Sequence, residues 1–263
     1  MVITKHKNLL GADLDKPVWR YLTFAKYISL LAYGAIWFSK LNILIDMDEG
    51  AMPAIPAAEM HAQHQALKRL FDPSLHEQFD NMNSRNVEDG RELIVANCWF
   101  EDERESKEMW DRYAASDGVA IRSTIGALAE HIFCDPQFSV VGRVQYVDLS
   151  KHVMSHYDAH QAHERAYLKG LSFSREREIR ITTMNLRGPM CVNMDGTIPH
   201  PEEYAGARAN NFENPGIFIK ANTARLIHGT VVHPGAPLWF ELLIRHLVRQ
   251  SGIGGPVTRS TLE

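Results

Sequence analysis

The run Glu176-Arg177-Glu178-Ile179-Arg180 is where the residue types most directly suggest chemistry. In an extended strand Glu176, Glu178 and Arg180 share one face, and Arg177 and Ile179 share the other. Two carboxylates about 7 Å apart on one face are costly unless they are solvated, paired or used. Arg180 is a ready partner for Glu178. Such a pair suits a reaction through a developing sugar cation, in which one carboxylate stabilises the oxocarbenium ion and the other takes a proton. The competing reading is an exposed edge strand with alternating charge and local salt bridges.

A second group is His152, His156, His160 and His163. Their spacings of four, four and three align them on one face if the chain from Lys151 to Leu171 is helical. Two histidines at i and i+4 can share a metal, and Asp148 or Glu164 could complete the set. The alternative is a solvated, His-rich helix face, and no resident metal is expected. His61 and His64 form a weaker pair. Arg20 lies between Trp19 and Tyr21. An arginine inside a short aromatic strand either pairs with a buried carboxylate or meets a phosphate. Cys98-Trp99-Phe100-Glu101, leading to Glu105, Met109, Trp110 and Tyr113, reads first as aromatic core and second as a stacking platform for a ring.

These residues need elements to position them. Trp19–Leu22 reads as a strand, Phe24–Tyr33 as a helix capped by Thr23 and ended by Gly34, and Ala35–Ser39 as a second strand. Further strands are expected at Ile94–Phe100, Gly118–Arg122, Val140–Val147, Arg177–Thr182, Met190–Asn193, Ile217–Lys220, Leu226–Val232 and around Val257. Further helices are expected at Ala57–Asn83, with a break at Pro73, and at Glu105–Ala114, Thr124–Phe133, Lys151–Leu171 and Leu238–Gln250. There is no regular strand–helix–strand beat. The expected fold is therefore α+β, a mixed, largely antiparallel sheet core with flanking helices. One domain over 1–263 is expected, with 1–16 peripheral. The Gly-, Pro- and Asn-rich stretch Leu186 to Pro215 reads as a cover over a site.

Composition bounds the function. The chain has 263 residues, 45% hydrophobic and 23% charged, with net charge −4. That is globular, and it excludes a coiled coil or a disordered tail. Net charge gives no indication of nucleic-acid binding, although a local basic groove is compatible with it. Cys98, Cys134 and Cys191 form no metal-binding spacing and read as reduced thiols. With no apolar leader and no apolar run of spanning length, a cytoplasmic location away from the membrane is expected. No GxGxxG, GxxxxGK[ST], HExxH or GxSxG motif occurs, which disfavours P-loop hydrolysis and the commonest zinc-protease and serine-hydrolase layouts.

The order of certain pieces resembles a bacterial domain-of-unknown-function family often encoded near mobile elements and defence genes. The pieces are Trp19-Arg20-Tyr21, Ile36-Trp37-Phe38-Ser39, Cys98-Trp99-Phe100, Glu105-Ser106, Met109-Trp110, Tyr113, Gly118-Val119-Ala120-Ile121, Tyr146-Val147-Asp148, Lys169, Phe173, Glu176 to Arg180, His233 to Trp239, and Ser260. More distantly, the series Arg20, Phe38-Ser39, Glu176 and Glu178 resembles ADP-ribosyltransferases. That likeness implies an NAD-dependent enzyme, a toxin or defence effector modifying a macromolecular acceptor. It implies that Arg20 holds the phosphate or ribose of NAD, Ser39 orients the pocket, Tyr21 lines it, and Trp37 or Trp110 stacks on nicotinamide. Glu178 would stabilise the oxocarbenium ion and Glu176 would activate the acceptor. No Ser-Thr-Ser follows the second strand, where the sequence reads Phe38-Ser39-Lys40, and the insert from Leu41 to Ser174 is long. The alternatives are a metal-dependent hydrolase or nuclease using the histidines, and a non-catalytic binding or sensor module.

Overall fold

The computed structural model describes residues 3–44, 46, 48–70, 72–77, 91–114, 117–155, 158–159, 161–185 and 215–262. Its strands are β1 (Thr4–Lys5), β2 (Pro17–Leu22), β3 (Ala35–Lys40), β4 (Ile94–Glu101), β5 (Val119–Thr124), β6 (Ser139–Arg143), β7 (Gln145–Val147), β8 (Leu168–Gly170), β9 (Glu178–Met184), β10 (Gly216–Lys220), β11 (Gly229–Val232) and β12 (Val257–Arg259). Its α-helices are α1 (Phe24–Tyr33), α2 (Ala54–Lys68), α3 (Lys107–Tyr113), α4 (Ile125–His131), α5 (Ala162–Arg165), α6 (Thr223–Leu226) and α7 (Leu238–Gln250). The fold is α+β. Among the described residues no helix is long and apolar enough to cross a membrane.

Among the described residues ten strands form one sheet in the order β1-β6-β9-β4-β2-β5-β11-β12, with β3 also paired to β4 and β10 paired to β3. Most of the pairs are antiparallel, while β1/β6 and β11/β12, at the two ends, are parallel. The centre is forked. One edge of β4 pairs with β9 from Ile94 to Phe100. The other edge meets β2 at Phe100 and Glu101, and β3 at Val95 and Ala96. A strand has two edges, so β2 and β3 share this one and diverge beside residues 97–99.

One face of the sheet carries the main core. Val18, Val95, Trp99, Ile121, Ile179 and Ile181 pack there with Leu30 of α1, Leu128 of α4, and Phe240 and Ile244 of α7. The opposite face carries two smaller clusters. Trp19, Tyr21 and Phe100 gather with Met109 and Trp110 of α3. Ile94, Ala96 and Leu41 gather with Ala166. The space between these two clusters is the site described below.

Local sequence explains the framing elements. Gly34 ends α1 at φ 54°, a left-handed conformation that glycine adopts without a Cβ penalty. Ser106 and Thr124 cap α3 and α4, their hydroxyls accepting from Met109 N at 3.4 Å and Ala127 N at 3.2 Å. Gly216 brings β10 onto β3, where a Cβ would lie 2.1 Å from the Phe38 carbonyl oxygen.

Several expectations need correction. No helix runs from Lys151 to Leu171. Residues 152–155 are irregular, α5 is one turn, and 168–170 form β8, paired in parallel with β7. The stretch lacks a continuous apolar stripe, so strand pairing prevails over helical spacing. The expected strand Val140–Val147 is broken at Val144, whose N–H bonds to the Glu178 carbonyl while that of Gln145 bonds to Tyr167. The chain thereby passes from one sheet to the other. The first part of the expected helix Ala57–Asn83 begins at Ala54 and ends at Lys68, a turn before the expected break at Pro73, which opens a 3-10 turn, while residues 78–83 lie outside the described residues. Leu226 belongs to α6, not to β11. The expected strand Met190–Asn193, most of the expected cover from Leu186 to Pro215, and Cys191 lie outside the described residues.

Candidate active site

A cavity of about 300 Å³ opens between the two small clusters, over the fork in the sheet. Trp19, Tyr21, Phe100 and Phe173 give it aromatic walls, and Cys98 and Ser39 lie on it too. Glu49, Lys169, Glu176 and Glu178 line one charged side, and Arg20 and Lys26 supply further cations.

The expected strand of paired carboxylates takes an unexpected form. Strand β9 starts at Glu178, while Glu176 ends a 3-10 helix, Leu171–Glu176. Between them Arg177 adopts φ 39°, a strained left-handed conformation for a non-glycine residue. The kink brings both carboxylates to one ammonium. Lys169 Nζ donates to Glu176 Oε2 at 2.7 Å and to Glu178 Oε2 at 3.3 Å. This is no solvated edge: β9 lies between β6 and β4, and Glu176 and Glu178 are 6% and 4% exposed.

A third carboxylate, Glu49, was not singled out in the sequence. It is fully buried, contacts Lys169 Nζ at 2.8 Å, and accepts from both Arg180 terminal nitrogens at 2.8 and 3.1 Å. Arg180 also donates to Glu178 Oε1 from Nε at 3.0 Å and from Nη2 at 2.8 Å. Glu176 Oε1 accepts from Arg112 Nη1 at 2.5 Å and from the Tyr113 hydroxyl at 2.8 Å. All six carboxylate oxygens of Glu49, Glu176 and Glu178 thus meet donors. Burial alone would lower the Lys169 ammonium, but Glu178 and Glu49 hold it above its ordinary range. Burial would raise the Glu49 carboxyl, but Arg180 and Lys169 hold it below its ordinary range. Burial raises Tyr113 and Cys98, each helped by a neighbouring glutamate. Both therefore stay protonated at neutral pH.

Arg20 stands apart from this network. Its Nη2 reaches the Trp37 carbonyl at 3.4 Å, and its guanidinium carbon lies 5.9 Å from the Trp99 ring centroid. Nη1 is buried with no hydrogen-bond partner among the described residues. Part of the side chain borders the cavity, yet protein encloses the charged head. Desolvation pulls it down to about 10, and it stays cationic at neutral pH.

Other expected residues divide. Tyr21 and Ser39 line the cavity. The Tyr21 hydroxyl accepts from Ser106 N at 2.8 Å, and Ser39 Oγ accepts from Trp37 Nε1 at 3.0 Å. Trp37 is one step from the cavity, its ring edge-on to Phe218 at 4.9 Å. Trp110 is 1% exposed, donates to Glu105 Oε2 at 3.0 Å and meets Tyr21 edge-on at 5.0 Å. It buttresses the wall and offers no open face for stacking.

The histidines do not form the expected row. His152 is in an irregular segment, and His163 Nδ1 bonds Thr182 Oγ1 at 2.9 Å. His156 and His160 lie outside the described residues. Asp148 is engaged with Ser150 and Lys151, and Glu164 with His6 and Lys7. Among the described residues no three His, Cys, Asp or Glu side chains are grouped to hold a metal.

Lys169, Cys98, Tyr113 and Phe173 appear among the pieces of the family resemblance, but nothing in their spacing assigned them to one site. Comparison of the chain with family models, with curated proteins and with solved structures gives no match in any of the three.

Proposed function

We propose that the protein cleaves the nicotinamide–ribose bond of NAD and passes the ribosyl carbon to water or to a macromolecular acceptor. The observation that carries this reading is the saturated carboxylate cluster. Glu176 and Glu178 line the cavity with their oxygens fixed by ammonium, guanidinium and hydroxyl donors, so two carboxylates are held in set directions beside the space a sugar would occupy. Ordinary O-glycosides leave with a proton from a carboxylic acid. A pyridinium N-glycoside needs no such proton, because its ring nitrogen is already cationic and takes the bond's electron pair as neutral nicotinamide departs.

In this mechanism Glu178 stabilises the oxocarbenium ion at the sugar carbon. Glu176 receives the proton that the attacking nucleophile loses as its lone pair bonds to that carbon. Tyr113 and Arg112 hold one Glu176 oxygen, leaving its direction fixed as the charge develops. The aromatic walls suit a flat ring. Arg20 and Lys26, lining cations with no ion pair to the three glutamates, suit a phosphate-bearing substrate. The residues therefore fit both ends of the nicotinamide nucleotide. The toxin or defence role rests on the family resemblance alone. The test is nicotinamide release from NAD by the purified protein, with a thermal-shift measurement of NAD binding. Release and stabilisation are expected; neither release nor stabilisation would overturn the proposal.

A further inference from the structure

We infer that Glu49 is a positioning residue for the reaction: it draws Arg180 and Lys169 partly away from Glu178, so that Glu178 keeps the negative charge a developing sugar cation needs. This rests on the proposed glycosidic cleavage and adds a third carboxylate to its machinery. Glu49 reaches the cluster from a loop outside the strands. Gly50, beside it, takes φ 68°, and a Cβ there would lie 2.8 Å from Leu41 Cδ1. Arg91 Nε donates to the Glu49 carbonyl at 2.8 Å, and Glu49 N donates to the Asp46 carbonyl at 3.1 Å. The backbone is thus held on both sides of the side chain that enters the site.

The ion pairs show what that side chain does. Its Oε1 and Oε2 accept from Arg180 Nη2 at 3.1 Å and Nη1 at 2.8 Å, and Oε1 lies 2.8 Å from Lys169 Nζ. The same Nζ lies 3.3 Å from Glu178, farther than from Glu49. Both Glu49 oxygens are occupied and the side chain is 1% exposed, so it acts through the two cations and not on a substrate directly. Sharing one ammonium puts Glu49 and Glu178 oxygens no more than about 6 Å apart, close enough for one charge to act on the other. Lys169, Arg180 and Arg112 balance Glu49, Glu176 and Glu178. Without Glu49 the cluster would carry one cation in excess beside a carbon that is turning positive. The other groups near Glu178 supply no replacement. Cys98 and Tyr146 are pushed up by burial and stay protonated, and Arg20 adds positive charge.

The experiment is the pH profile of kcat/KM for nicotinamide release from NAD by wild type, Glu49→Gln and Glu49→Asp, with thermal unfolding of each. Glu49→Gln should lower the plateau at least about tenfold, because the developing cation loses a nearby negative charge. It should also move the acid limb to lower pH by about one pH unit, since Glu176 and Glu178 lose a like-charged neighbour. That direction is opposite to the one expected on removing Lys169. A loss of packing alone would lower the plateau without this shift. Glu49→Asp keeps the charge on a shorter arm, so it should retain more of the rate and show a smaller shift in the same direction. If Glu49→Gln fails to fold, the aspartate variant decides the matter by the same two readings. In a folded variant, an acid limb that stays in place or moves to higher pH would overturn the inference, and so would a wild-type rate. No release from wild type would instead overturn the glycosidic reading, and the role of Glu49 with it.

Discussion

Lys169 and Arg180 hold three glutamates within a few ångströms of one another, and removing either cation would leave carboxylates buried and unpaired. Lys169→Met should lower stability by about 3–5 kcal/mol, the usual consequence of breaking a buried ion cluster from one side. Lys169→Arg should retain most of that stability. Where Lys169→Met folds, the acid limb of nicotinamide release should move to higher pH, since carboxylates that lose a cation protonate more readily. Urea titration and a pH–rate profile would check both. A second pH effect belongs to His163, whose imidazole is pulled down to about 4, chiefly by burial. The unfolded chain takes up this proton near pH 6.5 and the folded chain near 4. Stability should thus fall as pH drops through that window, and His163→Gln should flatten the decline in urea midpoint. At this scale the sequence reveals Glu176, Glu178 and Arg180, because alternation along a strand places them together even with the start of the strand misjudged. It does not reveal Glu49, which reaches Arg180 across 131 residues from an irregular loop. Nor does it show that Trp110 turns inward, because aromatic spacing in a short helix serves core and platform alike.

Elements with a local terminator are the ones whose bounds are legible. Gly34 marks the end of α1, and the Thr23 boundary marks its start. Strands β2, β3 and β4 follow from dense apolar runs. The expected histidine helix fails because its residues fit helical spacing without an apolar face to bury, and β8 pairs with β7 instead. The fork between β2 and β3 depends on register, which pairing across distant segments decides. The closeness of β10 to β3 provides a test of this level. Gly216→Ala would set a Cβ 2.1 Å from the Phe38 carbonyl and 2.7 Å from Trp37 Cζ2. It should separate the two strands, lower the melting temperature by several degrees and disturb Trp37 and, through it, Ser39. Gly34→Ala meets no neighbour within 4 Å and carries only the left-handed backbone penalty, about 1 kcal/mol. Thermal melts of the two variants separate steric from conformational causes.

As a whole, the molecule uses one sheet face for its main core and keeps its charged cavity on the other, between two smaller apolar clusters. The overall α+β class was legible from the irregular mixture of elements, whereas the cavity was not, since it arises where the two clusters leave a gap. The net charge of −4 gives no hint of this local arrangement, in which Lys169, Arg180, Arg112 and Arg20 surround three glutamates. The account turns on Glu178. Nicotinamide release from NAD should be measured for wild type and Glu178→Gln side by side, with thermal unfolding of both. Because the amide preserves shape and Arg180 keeps Glu49, the variant should stay folded while release falls by at least about a hundredfold, the scale of losing one preorganised charge at a reacting centre. A folded Glu178→Gln protein that releases nicotinamide as fast as wild type would contradict the account.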